Sequence, residues 1–357
     1  RVCRKWASSL NRLFMMTEKD FLGHGALNLD IIYEIDDLDA LRNDGFALEP
    51  GHEITGSHED AIRLLRRLDT CGRLITKSGG GSSANTICAL ARLGFKTGFL
   101  GAVGKDIAGE FILGSMSGVE TSMVTRVGRS AICVVVLDTA SRDRAMMVIP
   151  PDQEFTLTDW APADCLKGTR CLHLSSVVTK RGLENQIRLV KALLPDQILS
   201  FDPGEIYALM GLERPIIEIF KRTDILFVTK TEAGLFTGKT GTEAANCLLP
   251  MLNHDPMLSK RRPFFTETRG PAIILKQGAM GASLHSRGLT AHVPTEPLKF
   301  EIIDNTGAGD AFNAGVLAGI FKNKDVTASL ATGARLAAHS LSAFGRTWMD
   351  GLDGLII

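Results

Sequence analysis

Residues 304–312 read DNTGAGDAF, and the run after Asp310, AFNAGVLAGIF, sets Phe312, Val316 and Ile320 at helical spacing. The first turn of that helix is built almost without side chains, from Thr306, Gly307, Ala308 and Gly309. Bare N–H groups at the positive end of a helix make a cradle for an anion, as they do for phosphates. A competing reading needs no ligand: the glycines make a turn, and Asp310 is the N-cap of a helix with one buried stripe.

Other polar groups fall at strand ends. Asn28 and Asp30 are two apart on an extended segment, so both point to one face, either as a ligand-binding pair or as solvated residues. Gly79, Gly80 and Gly81 precede Ser82, Ser83 and Asn85, a second helix start that faces a ligand or is a flexible loop with a Ser cap. Glu232 lies just past a strand at 225–228, and Lys276 just past one at 272–275. A carboxylate so placed suits hydrated Mg²⁺, which needs only one or two protein carboxylates; a solvated surface charge is the alternative for each.

Two glycine motifs fail. Gly23, Gly25 and Asn28 follow a strand, but Asn28 stands where a dinucleotide fingerprint needs its third glycine, and a strand continues from it. Gly104 and Lys105 end like a Walker A loop, yet Phe99 and Asp106 replace its first glycine and its hydroxyl residue.

The elements that must position these groups alternate between strand-like and helical runs, which predicts an α/β fold with a doubly wound, mostly parallel sheet flanked by helices. Strands are expected at 21–29, 96–103, 172–175, 198–202, 225–228 and 272–275, and helices at 83–93, 107–116, 183–194, 215–221 and 242–252. A last helix follows from Val326, Leu330, Ala334, Ala337, Leu341 and Phe344 on one face. Extended segments at 31–35 and 53–55, with a hairpin at 131–138 and 144–149, break the alternation. They are expected to pair as a small β-sheet lid, in segments 31–55 and 131–149, over the carboxyl ends of the main strands.

With 357 residues there is ample core for one large domain or two ordinary ones. Lys plus Arg equals Asp plus Glu at 40 each, which gives no footing for a nucleic-acid partner. Seven scattered cysteines without a CxxC read as reduced, mostly buried thiols of a cytoplasmic protein. No run of about 18 apolar residues offers a membrane span. Residues 1–20 read as a basic N-terminal extension without a secretory apolar core, with Met16 as an alternative start.

In order along the chain, Asn28 and Asp30, Gly80 and Gly81 with Asn85, Glu232, Gly278 and Gly281, and the terminal DNTGAGD resemble the ribokinase, or PfkB, family of sugar and nucleoside kinases. The resemblance runs from about Phe21 to Gly345 and makes residues 21–357 one ribokinase-like domain. It implies that Asp310 is the catalytic base and that the backbone of Gly307, Ala308 and Gly309 is the anion hole. It further implies that Asn28, Asp30, Gly80, Gly81 and Asn85 hold the acceptor's hydroxyls, and that Lys276, Gly278 and Gly281 lie along ATP. Glu232 would act on the water shell of Mg²⁺, and Asp304, Thr306 and Gly345 match a site for a monovalent cation such as K⁺. Thr229 departs from the family's usual Asn three residues before the Glu, and its hydroxyl can still bond a water or phosphate. The helix terminus is expected to keep Asp310 ionised at neutral pH.

The leading expectation is an ATP-dependent kinase of a sugar hydroxymethyl group. A nucleoside kinase is the runner-up, because the long segment 36–77 resembles the enlarged lid of adenosine kinases. A third reading is a ligand-binding regulator with little turnover, for which Thr229 is the footing. Should the lid leave an exposed edge or apolar face, a homodimer through it is expected.

Overall fold

The computed structural model describes residues 18–141, 143–153, 161–253, 255, 257–258 and 262–352. The N-terminal extension expected over 1–20 therefore lies mostly outside the described residues, and its last two positions, Lys19 and Asp20, already belong to the first strand.

Short apolar runs make the strands. In chain order they are β1 (Lys19–His24), β2 (Asn28–Ile35), β3 (Glu53–Thr55), β4 (Gly72–Gly80), β5 (Thr97–Val103), β6 (Val119–Arg126) and β7 (Ala131–Asp138). They continue with β8 (Asp143–Ile149), β9 (Thr169–Ser175), β10 (Ile198–Asp202), β11 (Ile225–Thr229), β12 (Ala272–Lys276), β13 (Ala282–Ser286) and β14 (Thr290–Val293). A nine-stranded sheet has the order β14-β13-β12-β11-β10-β9-β1-β5-β6, and a five-stranded sheet the order β3-β8-β7-β2-β4. From β12 to β6 the large sheet is parallel; only β13 and β14 join antiparallel. The chain leaves β1 for β5 on one side and returns to β9 on the other, so a crevice opens there at the carboxyl ends, where such sheets bind ligands.

The segment expected as one strand over 21–29 is two. β1 pairs with β5 and β9, while β2 pairs with β4 and β7 in the small sheet. The lid is thus real, and larger than the two inserted segments, because β4 adds a fifth strand to it. Its β2 residues Leu29, Ile31, Tyr33 and Ile35 pack with Leu64 and Leu68 of the His58–Cys71 helix. The Tyr33 hydroxyl donates to Asp69 Oδ1 of that helix at 2.5 Å. On the opposite face Ile32, Cys133 and Val135 are buried together. The lid's own helix therefore covers one of its two apolar faces, and β3 and β4 are the edges of the sheet.

The helix after Asp310 spans Ala308–Phe321 and is buried on every side from Asp310 to Phe321, not along one stripe as the spacing suggested. It lies between the Ser82–Arg92 helix and the Val326–Ser340 helix. Small residues permit this: a Cβ on Gly315 would sit 2.6 Å from the Thr332 carbonyl oxygen, and one on Gly319 would sit 2.7 Å from Ser329 Cα. Such close backbone approach needs glycine.

The described cysteines are free thiols, with Cys88, Cys133, Cys165 and Cys171 buried and Cys247 exposed. No helix among the described residues is long and apolar enough to cross a membrane.

Candidate active site

Gly307, with φ at 78°, is the N-cap of the Ala308–Phe321 helix, and no side chain caps it. Asp310 is therefore not the cap that one reading expected. It stands in the first helical turn, and its Oδ2 accepts a hydrogen bond from Asn85 Nδ2 at 2.8 Å. A left-handed φ favours glycine at 307 and leaves the N–H groups of the turn without side-chain partners.

The lid brings its polar pair to the same place. Asn28 Nδ2 donates to Asp30 Oδ1 on the face predicted by their spacing. Gly80 ends β4 directly against them, since a Cβ there would fall 2.2 Å from Asp30 Oδ1 and 2.5 Å from Asn28 Nδ2. Gly81, with φ at 100°, is the N-cap of the Ser82–Arg92 helix that carries Asn85, so the glycine run is a strand end followed by a cap and not a flexible loop. Asp30, Asn85, Thr306 and Gly307 line one cleft with Gly345 and Arg346. A second cleft opens beside Asn28, walled mainly by Leu27, Ala102, Val148, Pro150 and Val177.

Burial pushes the Asp310 carboxyl up to about 7, the nearby Asp202 charge adds to the rise, and Asn85, Lys276 and Arg346 oppose it. The expectation of an aspartate ionised by its helix terminus is thus corrected. A helix end is worth about 0.3–1 kcal/mol, less than one pK unit, and desolvation of a buried carboxylate exceeds it. Asp30 is likewise pushed up to about 7, by burial first, with Arg346 and the Asn28 hydrogen bond opposing.

Behind Gly309 lies a charged group that sequence reasoning found only in part. Lys276 Nζ would be 3.4 Å from a Cβ on Gly309, and it bonds Asp202 Oδ2 at 2.6 Å. Asn313 Nδ2 donates to the same oxygen at 2.6 Å. Burial works against both charges, but their mutual attraction holds the Asp202 carboxyl below its usual range and the Lys276 ammonium above its own. Asp202 and Asn313 were missed, although a lone acid closing the apolar strand β10 at its carboxyl end was the available signal.

Thr229 and Glu232 meet in a capping box. Thr229 Oγ1 accepts from the Glu232 N–H at 3.2 Å, and Glu232 Oε2 accepts from the Thr229 N–H at 2.8 Å. Glu232 is buried, and its carboxyl is raised by that burial and by Asp202. Gly278 and Gly281 occupy the turn just beyond Lys276, both at positive φ. Asp304 ties two loops together, accepting from the Thr306 N–H at 2.8 Å and the Gly345 N–H at 3.2 Å. Thr306 Oγ1 is buried and has no hydrogen-bond partner among the described residues.

The model of the pfkB family of carbohydrate kinases matches residues 68–348. An uncharacterized sugar kinase of Archaeoglobus fulgidus is 30% identical over 263 residues, 72% of this chain and 95% of that protein. The chain belongs to the pfkB family of carbohydrate kinases. Two solved structures show the same fold. Adenosine kinase of Anopheles gambiae, in complex with P1,P4-di(adenosine-5) tetraphosphate, has a TM-score of 0.77 at 20% identity over 93% of this chain and 98% of its own. Ribokinase of Arabidopsis thaliana, complexed with ribose and ATP, has a TM-score of 0.68 at 19% identity over 95% and 100%. Membership of that family makes this protein a phosphotransferase of the carbohydrate-kinase type.

Proposed function

We propose that the chain transfers the γ-phosphate of ATP to a hydroxymethyl group of a sugar, with Asp310 as general base. The observation that carries this is the Asp310 carboxylate itself, held by Asn85 at the bare Gly307–Gly309 turn, with its charge felt by Asp30, which lines a cleft with Asn85 and Gly307. Phosphoryl transfer asks for positioning and for stabilisation of charge on the equatorial oxygens, and the N–H groups of a helix start that no side chain caps supply it. Asn28 and Asp30 hold the acceptor's hydroxyls. Asp310 takes the proton of the attacking hydroxyl as its oxygen bonds phosphorus and the bond to ADP breaks. A base with a pKa near 7 suits that exchange at neutral pH. Lys276 adds positive charge behind Gly309, and Gly278 and Gly281 leave the backbone bare along the nucleotide.

The donor set fits metals only in a loose sense. No group of three His, Cys, Asp or Glu side chains among the described residues makes a metal cage. Mg²⁺ bound through its waters needs fewer, and Glu232 is the carboxylate that would hold them; the ion would neutralise phosphate charge. The unpartnered Thr306 Oγ1 and the Asp304-tied loops at Thr306 and Gly345 fit a K⁺ site.

A nucleoside acceptor is the second reading. The cleft beside Asn28 is mostly aliphatic, which suits an acceptor with an apolar part beyond its hydroxymethyl group. Release of ADP from Mg-ATP, measured against a panel of sugars and nucleosides, tests the function and separates the two readings. A homodimer, if formed, would use the lid's strand edges.

A further inference from the structure

Arg346 follows Gly345 and had no role in the sequence reading, yet it is only 8% exposed. Its Nε donates to Asn85 Oδ1 at 2.8 Å, Nη1 to Ser115 Oγ at 3.0 Å and Nη2 to the Gly80 carbonyl at 3.1 Å. Its backbone N–H donates to Ser78 Oγ at 3.1 Å. Three of these partners come from the end of the lid strand β4 and from the helix start that carries Asn85. The guanidinium is thus the pivot on which the lid strand, the Asn85 helix and the C-terminal segment meet.

The chemistry of the chain Arg346, Asn85, Asp310 has one sense only. A guanidinium has donors and no acceptor, while a carboxylate only accepts. An amide between them satisfies both when its oxygen faces the guanidinium and its NH₂ faces the carboxylate. The reverse orientation sets N–H against N–H at one end and oxygen against carboxylate at the other. Arg346 therefore selects the orientation in which Asn85 donates to Asp310. The planar, rigid fork of arginine supports that selection as an ammonium could not.

We propose that Arg346 is a positioning residue for phosphoryl transfer, acting through Asn85 to hold the Asp310 carboxylate at the Gly307–Gly309 cradle. The inference rests on the kinase reading of Asp310. It is supported by charge as well as geometry, because Arg346 is the cation that favours the ionised forms of both Asp30 and Asp310 from this side. Lys276 and Asp202 face Asp310 from the other.

The test is a kinetic cycle on the whole chain with Arg346→Met, Asn85→Ala and the double variant. Arg346→Met is expected to lower kcat by about 10- to 100-fold, the loss typical of a misplaced reacting group, with KM for ATP changed less than about threefold. On the Asn85→Ala background it should add little, because the relay is already cut. Multiplicative losses, or a normal kcat, would overturn the inference. Should Arg346→Met fail to fold, Arg346→Lys takes its place, since it keeps a buried cation without the fork. A second readout needs no turnover. The ¹⁵N signal of the Asn85 side-chain amide should show two distinct, exchange-protected protons in the wild type and lose that protection in the Arg346 variant. An unchanged amide signal would sink the proposal, whereas a wild type that releases no ADP with any acceptor would sink the kinase reading instead.

Discussion

Lys276 Nζ and Asp202 Oδ2 meet at 2.6 Å inside the protein, at the carboxyl ends of two strands and directly behind the turn that carries Gly309. Both side chains are largely removed from water, so breaking the pair leaves a poorly solvated ion. Asp202→Ala is expected to destabilise the fold by about 3–5 kcal/mol, the usual cost of removing one member of a buried pair. Urea unfolding of wild type and variant measures it; a loss below about 1 kcal/mol would show that the pair is solvated as a surface pair is.

Asp310 should give the reaction its acid limb. Only the ionised carboxylate accepts a proton, and this carboxyl is pushed up to about 7. The value of kcat/KM should therefore rise about tenfold per unit of pH below neutrality and level off above it. A rate that is flat from about pH 5 to 8 would contradict a base of this kind.

The same group links stability to pH. In the unfolded chain Asp310 titrates near about 3.9, so between that value and its folded pKa the native state binds the proton more tightly, and stability falls as pH rises through the window. Asp310→Asn removes this group's share. Its melting temperature should thus gain on wild type progressively from about pH 4 to 7 and hold the gain above. Calorimetry across the range decides it, and a difference independent of pH would contradict the burial argument.

Glu232 distinguishes a cap from a metal ligand. Glu232→Gln preserves the capping box with Thr229, since Gln serves the N3 position as Glu does. If the carboxylate holds the water shell of Mg²⁺, the variant should keep its melting temperature and need severalfold more Mg²⁺ for half-maximal rate. Unchanged Mg²⁺ dependence would leave Glu232 as a cap alone.

The loops at Asp304, Thr306 and Gly345 carry the expectation that K⁺ raises turnover relative to buffer without K⁺ or Na⁺. Equal rates at fixed ionic strength would count against a cation site there.

How far these relationships could be read from the sequence depends on their range. Continuous apolar runs such as Ile198–Asp202 and Ile225–Thr229 announce buried parallel strands, and the glycines before Asp310 announce a bare helix start. β4 hides because GRLITKSGG mixes Arg73, Lys77 and glycines on a lid edge. β6, VETSMVTR, hides because the edge of the main sheet needs few apolar residues. Arg346 carries no local signal at all: its partners Asn85 and Gly80 lie 261 and 266 positions away. The pKa of Asp310 was misjudged for a related reason, since burial and the Asp202 charge are properties of the packed interior while the helix terminus is visible in the sequence.

The central claim is that Asp310 is a base and not a structural residue, and Asp310→Asn tests it most directly. The substitution keeps shape and leaves the backbone cradle intact but cannot accept the proton. With the acceptor found by the ADP-release screen, turnover should fall by roughly 10²- to 10⁴-fold, the range for a positioned general base. ATP should still raise the variant's melting temperature, because it binds the cradle and not the acid. Near-normal turnover in a variant that folds and binds ATP would contradict the account and return Asp310 to a purely structural role.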